Sequence, residues 1–369
     1  MLRHKLLSFI NRQLQRLIVE HVGIDLGTVN TLIYKEKHGV ILNEPSAIAI
    51  NKLSGEVIAV GRPALEMLGR EPIDTVVYRP MKDGSIADYD LAEKMLKAFL
   101  KLAGIGRRCK FLHVVTGTPS LSTSVERRAL KAAAKSIGAR WVSLVEEGLA
   151  AALGAGIINN ATGATMVVDI GGGTSDITIA SNSGIIYSSS IPMAGNAMTQ
   201  AVLEVIQRKY KMLIGEQAAE AVKIKLGAAL LDPLQENDEL MPVIGKAQPD
   251  FRVREFFVSA SDIIQALEKP VNTIVEAVRQ AVEQTTPNVA ADLYRNGITL
   301  TGGGSLLRGI DKKFNEELQL PVTIAQRPLE AVVLGIGKLL ASPLLLERYQ
   351  IKEHSIEWDN EKASSYSTI

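Results

Sequence analysis

Residues 166–180 read Met166-Val-Val-Asp-Ile-Gly-Gly-Gly-Thr-Ser-Asp-Ile-Thr-Ile-Ala180. An apolar β-run reaches Asp169, breaks on Gly171, Gly172 and Gly173, and resumes with Ile177 and Ile179 alternating against polar neighbours. Two strands joined by a tight glycine turn are expected. Glycines let backbone N–H groups point into one concavity with no Cβ in the way, an arrangement that suits a phosphate. Thr174 adds a hydroxyl. Asp169, at the strand end, is placed to hold Mg2+ through water. Taken alone, the same residues also suit an ordinary glycine hairpin.

Two further stretches narrow the choice. Val22-Gly-Ile-Asp-Leu-Gly-Thr-Val-Asn-Thr-Leu-Ile-Tyr34 repeats the plan: apolar strand, Asp25, a turn at Gly27 and Thr28, second strand. The repeat implies two similar half-domains facing one ligand. Ile298-Thr-Leu-Thr-Gly-Gly-Gly-Ser-Leu-Leu-Arg308 reads as strand, glycines and a helix start, where a helix N-terminus can meet a nucleotide.

These motifs resemble the ATPase superfamily of actin, sugar kinases and heat-shock chaperones, and more closely the MreB family of rod-shape-determining bacterial actins. The similarity runs from about Val22 to Leu340. It includes Asn43-Glu-Pro-Ser46, Arg79-Pro-Met-Lys-Asp-Gly84, Val125-Glu-Arg-Arg-Ala129, Val145-Glu-Glu147 and Leu213-Ile-Gly-Glu216, which lie outside the three glycine turns. The resemblance implies an α/β, actin-like ATPase fold: two similar α/β domains around a nucleotide cleft. The domains expected are 20–155 and 156–342, with the chain returning to the first half near its end, flanked by a terminal helix (1–19) and a tail (343–369).

The resemblance also implies a site for ATP and Mg2+. Gly27, Thr28, Val29 and Asn30 would wrap the terminal phosphates, faced by Gly171, Gly172, Gly173 and Thr174. Glu220, Ala221, Val222 and Lys223 would meet the ribose and base. As a plain helix pair, Glu220 and Lys223 would be worth only roughly a few tenths of a kcal/mol. Gly302, Gly303, Gly304, Ser305 and Leu306 would border the base. Asp25 and Asp169 would hold the metal or its waters. Glu147 matches the family's catalytic glutamate, orienting water in line with the γ-phosphate while Thr174 helps place it; Glu146 is the less suitable neighbour.

Two departures bear on turnover. The family usually has proline after the catalytic glutamate, where this chain has Gly148. A flexible glycine is expected to leave Glu147 less firmly held. The family usually has Gly-Gly-Asp where this chain has Ala194-Gly195-Asn196, which removes a carboxylate near the metal. Slow hydrolysis is therefore expected.

Composition fits this reading. With 369 residues the chain is long enough for two domains. Net charge of +1 gives no overall attraction to nucleic acid. The single cysteine, Cys109, cannot form an internal disulfide, consistent with a reducing cytosol. The five histidines show no metal-ligand spacing. No apolar run is long enough to span a membrane.

Residues 1–19 carry a helical pattern. Leu2, Leu6, Leu7, Phe9, Ile10, Leu14, Leu17 and Ile18 share one half of the wheel, interrupted by Arg3 and Gln13, with Lys5, Arg12 and Arg16 on the other half. A basic amphipathic terminus suits an anionic membrane surface, and otherwise a partner or the protein's own body. The basic loop Gly104–Lys110 reads as solvated. Strands and helices alternate through the rest of the chain. Expected helices include Ser124–Ile137, with Val125, Ala129, Ala132 and Ala133 inward, and a pair split at Pro270, the first capped by Ser261. Asp232–Phe251 reads as a polar excursion, and pattern is lost from Ser342.

The function expected is that of a slow ATPase that forms homopolymeric filaments at the inner face of the cell membrane and directs the cell-wall elongation machinery. The alternatives are a small-molecule kinase, for which no acceptor base stands out; a chaperone ATPase, for which little chain follows Leu340; and a nucleotide-binding adaptor with little hydrolysis.

Overall fold

A computed structural model describes residues 19–105, 111–158, 163–182, 184–230 and 238–352. The readings of residues 1–18, the loop through Lys110 with Cys109, the break at Asn159-Asn160 and the last residues fall outside these limits.

The first glycine stretch forms the expected hairpin. Strands β1 (Val19–Leu26) and β2 (Asn30–Lys35) pair antiparallel, with Asp25 opposite Leu32. β3 (Gly39–Pro45) continues the meander. A small sheet follows from β4 (Ile48–Asn51), β5 (Val57–Val60) and β6 (Thr75–Tyr78), with α1 (Arg62–Met67) between the last two. The short hairpin β7 (Met81–Lys82) and β8 (Ser85–Ile86) leads to α2 (Tyr89–Leu102). β9 (Phe111–Thr118), α3 (Ser124–Ser136) and β10 (Ala139–Glu146) complete the half by right-sized crossovers. The main sheet has the order β10-β9-β1-β2-β3, parallel across β10, β9 and β1.

The second half repeats this plan after α4 (Glu147–Gly154). β11 (Thr165–Ile170), β12 (Ser175–Ser181) and β13 (Gly184–Ile191) form the meander. α5 (Gly195–Tyr210), β14 (Met212–Leu213), α6 (Glu216–Leu226), β15 (Leu240–Ala247) and β16 (Val253–Ser259) build a second small sheet and its cover. α7 (Ala260–Glu283), α8 (Pro287–Asn296), β17 (Ile298–Thr301), α9 (Ile310–Leu318) and β18 (Val322–Ile324) complete the sheet β13-β12-β11-β17-β18. α10 (Ala331–Ala341) and α11 (Pro343–Tyr349) follow.

Between the two main sheets lie α4 and α10. Their buried side chains join Val115 and Val145 of the first sheet to Val167 and Ala180 of the second in one apolar cluster. The helices cross with their backbones in contact. A Cβ on Gly154 would stand 1.8 Å from the Ala331 carbonyl oxygen, and one on Gly335 the same distance from that of Ala150. Only glycine permits such an approach.

Several local expectations give way to packing. α7 is one helix, with Pro270 inside it, and its cap is Ser259 rather than Ser261. Its buried stripe runs from Ile263 through Leu267, Val271 and Ile274 to Val278. That continuous burial outweighs the roughly 3 kcal/mol an interior proline costs. α3 buries Leu130, Ala133 and Ala134, whereas Val125 and Ala132 face water. The stretch after Asp232 contains β15, paired along its length with β16. α11 forms beyond Ser342. No single helix among the described residues is long and apolar enough to cross a membrane.

Candidate functional site

A cleft of about 700 Å3 opens between the halves. Both glycine hairpins reach it from opposite sides. Val22, Ile24 and Leu26 bury one face of β1 and leave Asp25 at the strand end, partly open to the cleft. The turn that follows is braced by Ser46, whose hydroxyl donates to the Gly27 carbonyl at 2.7 Å. Thr28 Oγ1 accepts from the Gly84 N–H at 2.9 Å, which fixes the β7–β8 hairpin against the turn.

The two turns touch. A Cβ on Gly172 would stand 2.2 Å from Val29 Cγ2, and one on Gly173 would stand 2.7 Å from Thr28 Oγ1. Any side chain at these positions would push the halves apart. The start of α5 then packs on the second turn: the N–H groups of Gly195 and Asn196 donate to the carbonyls of Gly171 and Gly172 at 3.1 and 2.8 Å. Asn196, which replaces the expected carboxylate, lines the cleft with a neutral amide.

Three acids, Asp25, Asp169 and Glu147, line the cleft, and a fourth, Asp176, is buried behind Asp169. Asp169 and Asp176 face each other across β11 and β12. Thr301 Oγ1 donates to Asp169 Oδ1 at 2.7 Å. Burial, with Asp169 nearby, raises the Asp25 carboxyl to about 7. Burial, opposed by the Thr301 hydrogen bond and reinforced by Asp176, raises Asp169 to about 7. Asp176 is raised to about 6, again mainly by burial. Glu147 is pushed well above the usual carboxylate range by burial and by Asp176, Asp25 and Asp169. None of the ion pairs among the described residues involves these four acids.

Glu147 and Glu146 part at the junction of β10 and α4. Glu147, the first helical residue, lines the cleft. Glu146 turns aside to Ser188, whose hydroxyl donates to its Oε2 at 3.3 Å. Gly148 is no loose link: it is buried in the first turn of α4, with Thr178 packed directly against it.

At the other end of the cleft, Lys223 Nζ donates to the Gly195 carbonyl at 3.0 Å and to Thr199 Oγ1 at 2.9 Å, and pairs with Glu220 at 2.7 Å. The pair therefore ties α6 to α5 instead of standing free on the surface. Gly302, Gly303, Gly304 and Leu306 line this end with Ile224, Leu307, Arg308 and Leu329. The glycines lead into a one-turn 3-10 helix, Gly303–Leu306, and the α-helix begins only at Ile310.

Three expected residues do not present side chains to the cleft. Ser305 is buried and donates its hydroxyl to the Gly302 carbonyl at 2.7 Å. Val222 belongs to the core of the second half. Ala221 is exposed on another face of α6. Sequence reasoning missed Asp176, although a turn over 171–174 makes it the cross-strand neighbour of Asp169. It also missed the cleft mouth. There Arg79 pairs with Glu216, and Gln217 Nε2 donates to the Leu65 carbonyl at 2.5 Å, so the start of α6 is bridged to α1 and to the loop after β6. No local pattern announces these contacts.

A sequence model of the MreB/Mbl family, described as MreB/Mbl protein, matches residues 19–348. The chain belongs to the MreB/Mbl family. The cell shape-determining protein Mbl of Bacillus subtilis is 41% identical over 319 residues, 86% of this chain and 95% of Mbl. The cell shape-determining protein MreB of Escherichia coli is 43% identical over 325 residues, 86% of this chain and 92% of MreB. Among solved structures, MreB5 of Spiroplasma citri bound to ADP is similar with a TM-score of 0.82 at 35% identity, covering 89% of this chain and 97% of MreB5. MamK from a double helical filament, at 22% identity, shares the fold with a TM-score of 0.74, covering 88% of this chain and 99% of that one. The fold is actin-like, and the first eighteen residues precede the part that the family model matches.

Proposed function

We propose that this MreB/Mbl-family chain is an actin-like ATPase of the cell-shape cytoskeleton, which binds Mg-ATP in the cleft and polymerises on the inner face of the cell membrane. The observation that carries this reading is the pairing of two touching glycine turns with three carboxylates, Asp25, Asp169 and Glu147, that line the cleft and join none of the ion pairs among the described residues. The turns offer backbone N–H groups and hydroxyls to phosphate oxygens from both sides. Relatives support it: MreB5 of Spiroplasma citri is described with ADP and with AMPPNP bound.

The residues fit Mg2+. Among the described residues no group of three or more His, Cys, Asp or Glu side chains could hold a metal by itself. Mg2+ does not need one, because it binds through one or two carboxylates, waters and substrate phosphates. Asp25 and Asp169 are the carboxylates in question. When bound, the ion would neutralise charge on the phosphates. Glu147 accepts a hydrogen bond from the attacking water and orients it, with Thr174 on the opposite turn. Glu220 and Lys223 hold the ribose end, and Gly302 to Gly304 with Leu306 the base.

A head-to-tail contact between identical subunits does not close into a ring, so it propagates as a filament. Residues 1–18 would then act as a membrane anchor. Each apolar side chain buried in lipid contributes about 1.5 kcal/mol or more, against the cost of ordering a short helix. One chain binds weakly, and a filament multiplies the contact. The wall-elongation machinery is the partner this arrangement would position.

Sedimentation of the full chain with and without Mg-ATP, alongside phosphate release, tests the core of the reading. ATP-dependent pelleting with slow phosphate release is expected. ATP binding without either would leave a nucleotide-binding adaptor. Flotation with anionic liposomes tests the anchor: the full chain floats, and a chain starting at Glu20 stays in solution.

A further inference from the structure

We infer that Thr178 is a positioning residue for Glu147, acting across Gly148. The inference rests on the ATPase reading above, in which Glu147 orients the attacking water. Glu147 and Gly148 are the first two residues of α4. A Cβ on Gly148 would stand 1.9 Å from Thr178 Oγ1 and 2.8 Å from Thr178 Cβ, so the helix backbone rests on this one side chain of β12. Thr178 is 1% exposed. A β-branched residue in a packed strand has little freedom at χ1, which makes it a fixed stop.

Glu147 is confined from the other side as well. Its stem passes over bare backbone at Gly117 in β9, where a Cβ would stand 2.8 Å from Glu147 Cγ. The side chain is thus held against the first sheet, while the backbone beside it is held against the second. β12 is also the strand that leaves the Gly171–Thr174 turn. Thr178 therefore sets the position of Glu147 relative to that phosphate turn by direct contact between elements distant in sequence.

The same side chain helps separate the two acids. Thr178 Oγ1 lies 3.4 Å from Ser188 Oγ, and Ser188 in turn donates to Glu146. Glu146 is drawn along this row, away from the cleft that Glu147 enters. Where the family's usual proline would stiffen the turn from within, this chain has glycine with a threonine packed against it. Gly148 and Thr178 are one device: the bare backbone at one position makes room for the side chain at the other.

The test measures phosphate release and ATP affinity in the full-length protein for Thr178→Val, Thr178→Ala, Gly148→Ala and the double variants, with Glu147→Ala as reference. Thr178→Val keeps the packed volume and should stay within about twofold of the parent rate. Thr178→Ala should release phosphate about threefold to tenfold more slowly at unchanged ATP affinity, since small misplacements of a catalytic group are costly. Gly148→Ala should be slower still. Adding Thr178→Ala to it should restore part of the rate, because the 1.9 Å contact goes while the 2.8 Å contact stays. Thr178→Gly in the same background should restore more.

A merely structural role would lower melting temperature and ATP affinity together, and the two substitutions would add instead of compensating. Parental release by Thr178→Ala, or a double variant slower than Gly148→Ala, overturns the inference. If Gly148→Ala does not fold, the Thr178→Ala and Thr178→Val pair decides alone. Slow release in Glu147→Ala with parental release in Thr178→Ala removes only the positioning role. Parental release in Glu147→Ala removes the catalytic reading, and the positioning role with it.

Discussion

Among the described residues, the acids of the cleft and a histidine pair in the first sheet are both clusters of like titratable groups, and of these two the acids border a cavity. At the cleft, burial raises the proton affinity of Asp25, Asp169 and Glu147, and repulsion from neighbouring acids, Asp176 among them, adds to it. At the middle of the first sheet, His21 and His113 stand in register on β1 and β9 with their Nδ1 atoms 3.2 Å apart. Burial, and then His21, pushes His113 down to about 4. The histidines are closed in by partners: His113 Nε2 meets Ser143 at 3.3 Å, and Ser143 donates to Gln350 at 3.2 Å. Asp25, Asp169 and Glu147 instead face a cleft lined by the glycine turns. A shifted titration alone marks neither site. The shift together with an adjoining cavity is what distinguishes a ligand site from a stitch between strands.

The sharpest way to break this comparison is to remove one member of each cluster. Asp169→Ala should weaken Mg-dependent ATP binding by about a hundredfold or more, whereas His113→Gln should leave it unchanged by calorimetric titration. Equal affinity in the two variants would mean that the floor is no more functional than the histidine pair. Next in size, Glu147→Ala should slow phosphate release by about a hundredfold while ATP still binds. Glu146→Ala should change the rate by about twofold at most; a larger effect there would reverse the assignment.

The two clusters should also pull stability in opposite directions with pH. His113 has a folded pKa below its unfolded value of 6.5. The unfolded chain therefore binds more protons, and this stabilisation, present above pH 6.5, is lost as pH falls toward 4. The loss amounts to at most about 3 kcal/mol. Asp25 and Asp169 have folded values raised from 3.8 to about 7. In nucleotide-free protein they therefore favour folding less and less as pH rises from about 4 to 7. Denaturant titrations across this range, for the parent and His113→Gln, isolate the histidine contribution as their difference. An identical acid-side slope in both would show that the pair is not buried neutral.

The smallest effect belongs to the cleft mouth. Arg79→Ala removes a partly exposed ion pair, which is worth about 0.2–1 kcal/mol. Exchange of a fluorescent nucleotide should accelerate by up to about fivefold, and Gln217→Ala should act in the same direction. Unchanged exchange in both variants would mean that the bridge does not hold the cleft shut.

Much of the fold was legible in the chain because its signals are local. A strand, an acid, glycines and a hydroxyl occupy one short segment, so each hairpin can be read without its partner. The meeting of Asp25 and Asp169 at one cleft, and of Glu147 rather than Glu146 with them, followed from those segments and the resemblance they carry. Contacts made by distant elements were not legible. Arg79 and Glu216 meet only because the loop after β6 reaches the start of α6 across the cleft mouth. Pro270 stays inside α7 because a long apolar stripe outweighs one missing hydrogen bond. Ala221 and Val222 illustrate a different miss. In a helix, 220, 223, 224 and 227 share a face, and 221 and 222 lie off it. Helical periodicity, applied residue by residue, separates them where a continuous run does not.

The crossing of α4 and α10 bears on how this chain can diverge. At Gly154 and Gly335 even one methyl group would land on a carbonyl oxygen of the facing helix. Relief would require the helices to separate, and with them the two sheets that frame the cleft. Substitution at either position is thus a change to the whole molecule. Leu53 and Ile73, at 93% and 96% exposure on the first small sheet's periphery, carry no such linkage. Mutational freedom in this protein is graded from its rim to its seam, and Gly154 and Gly335 stand at the constrained end.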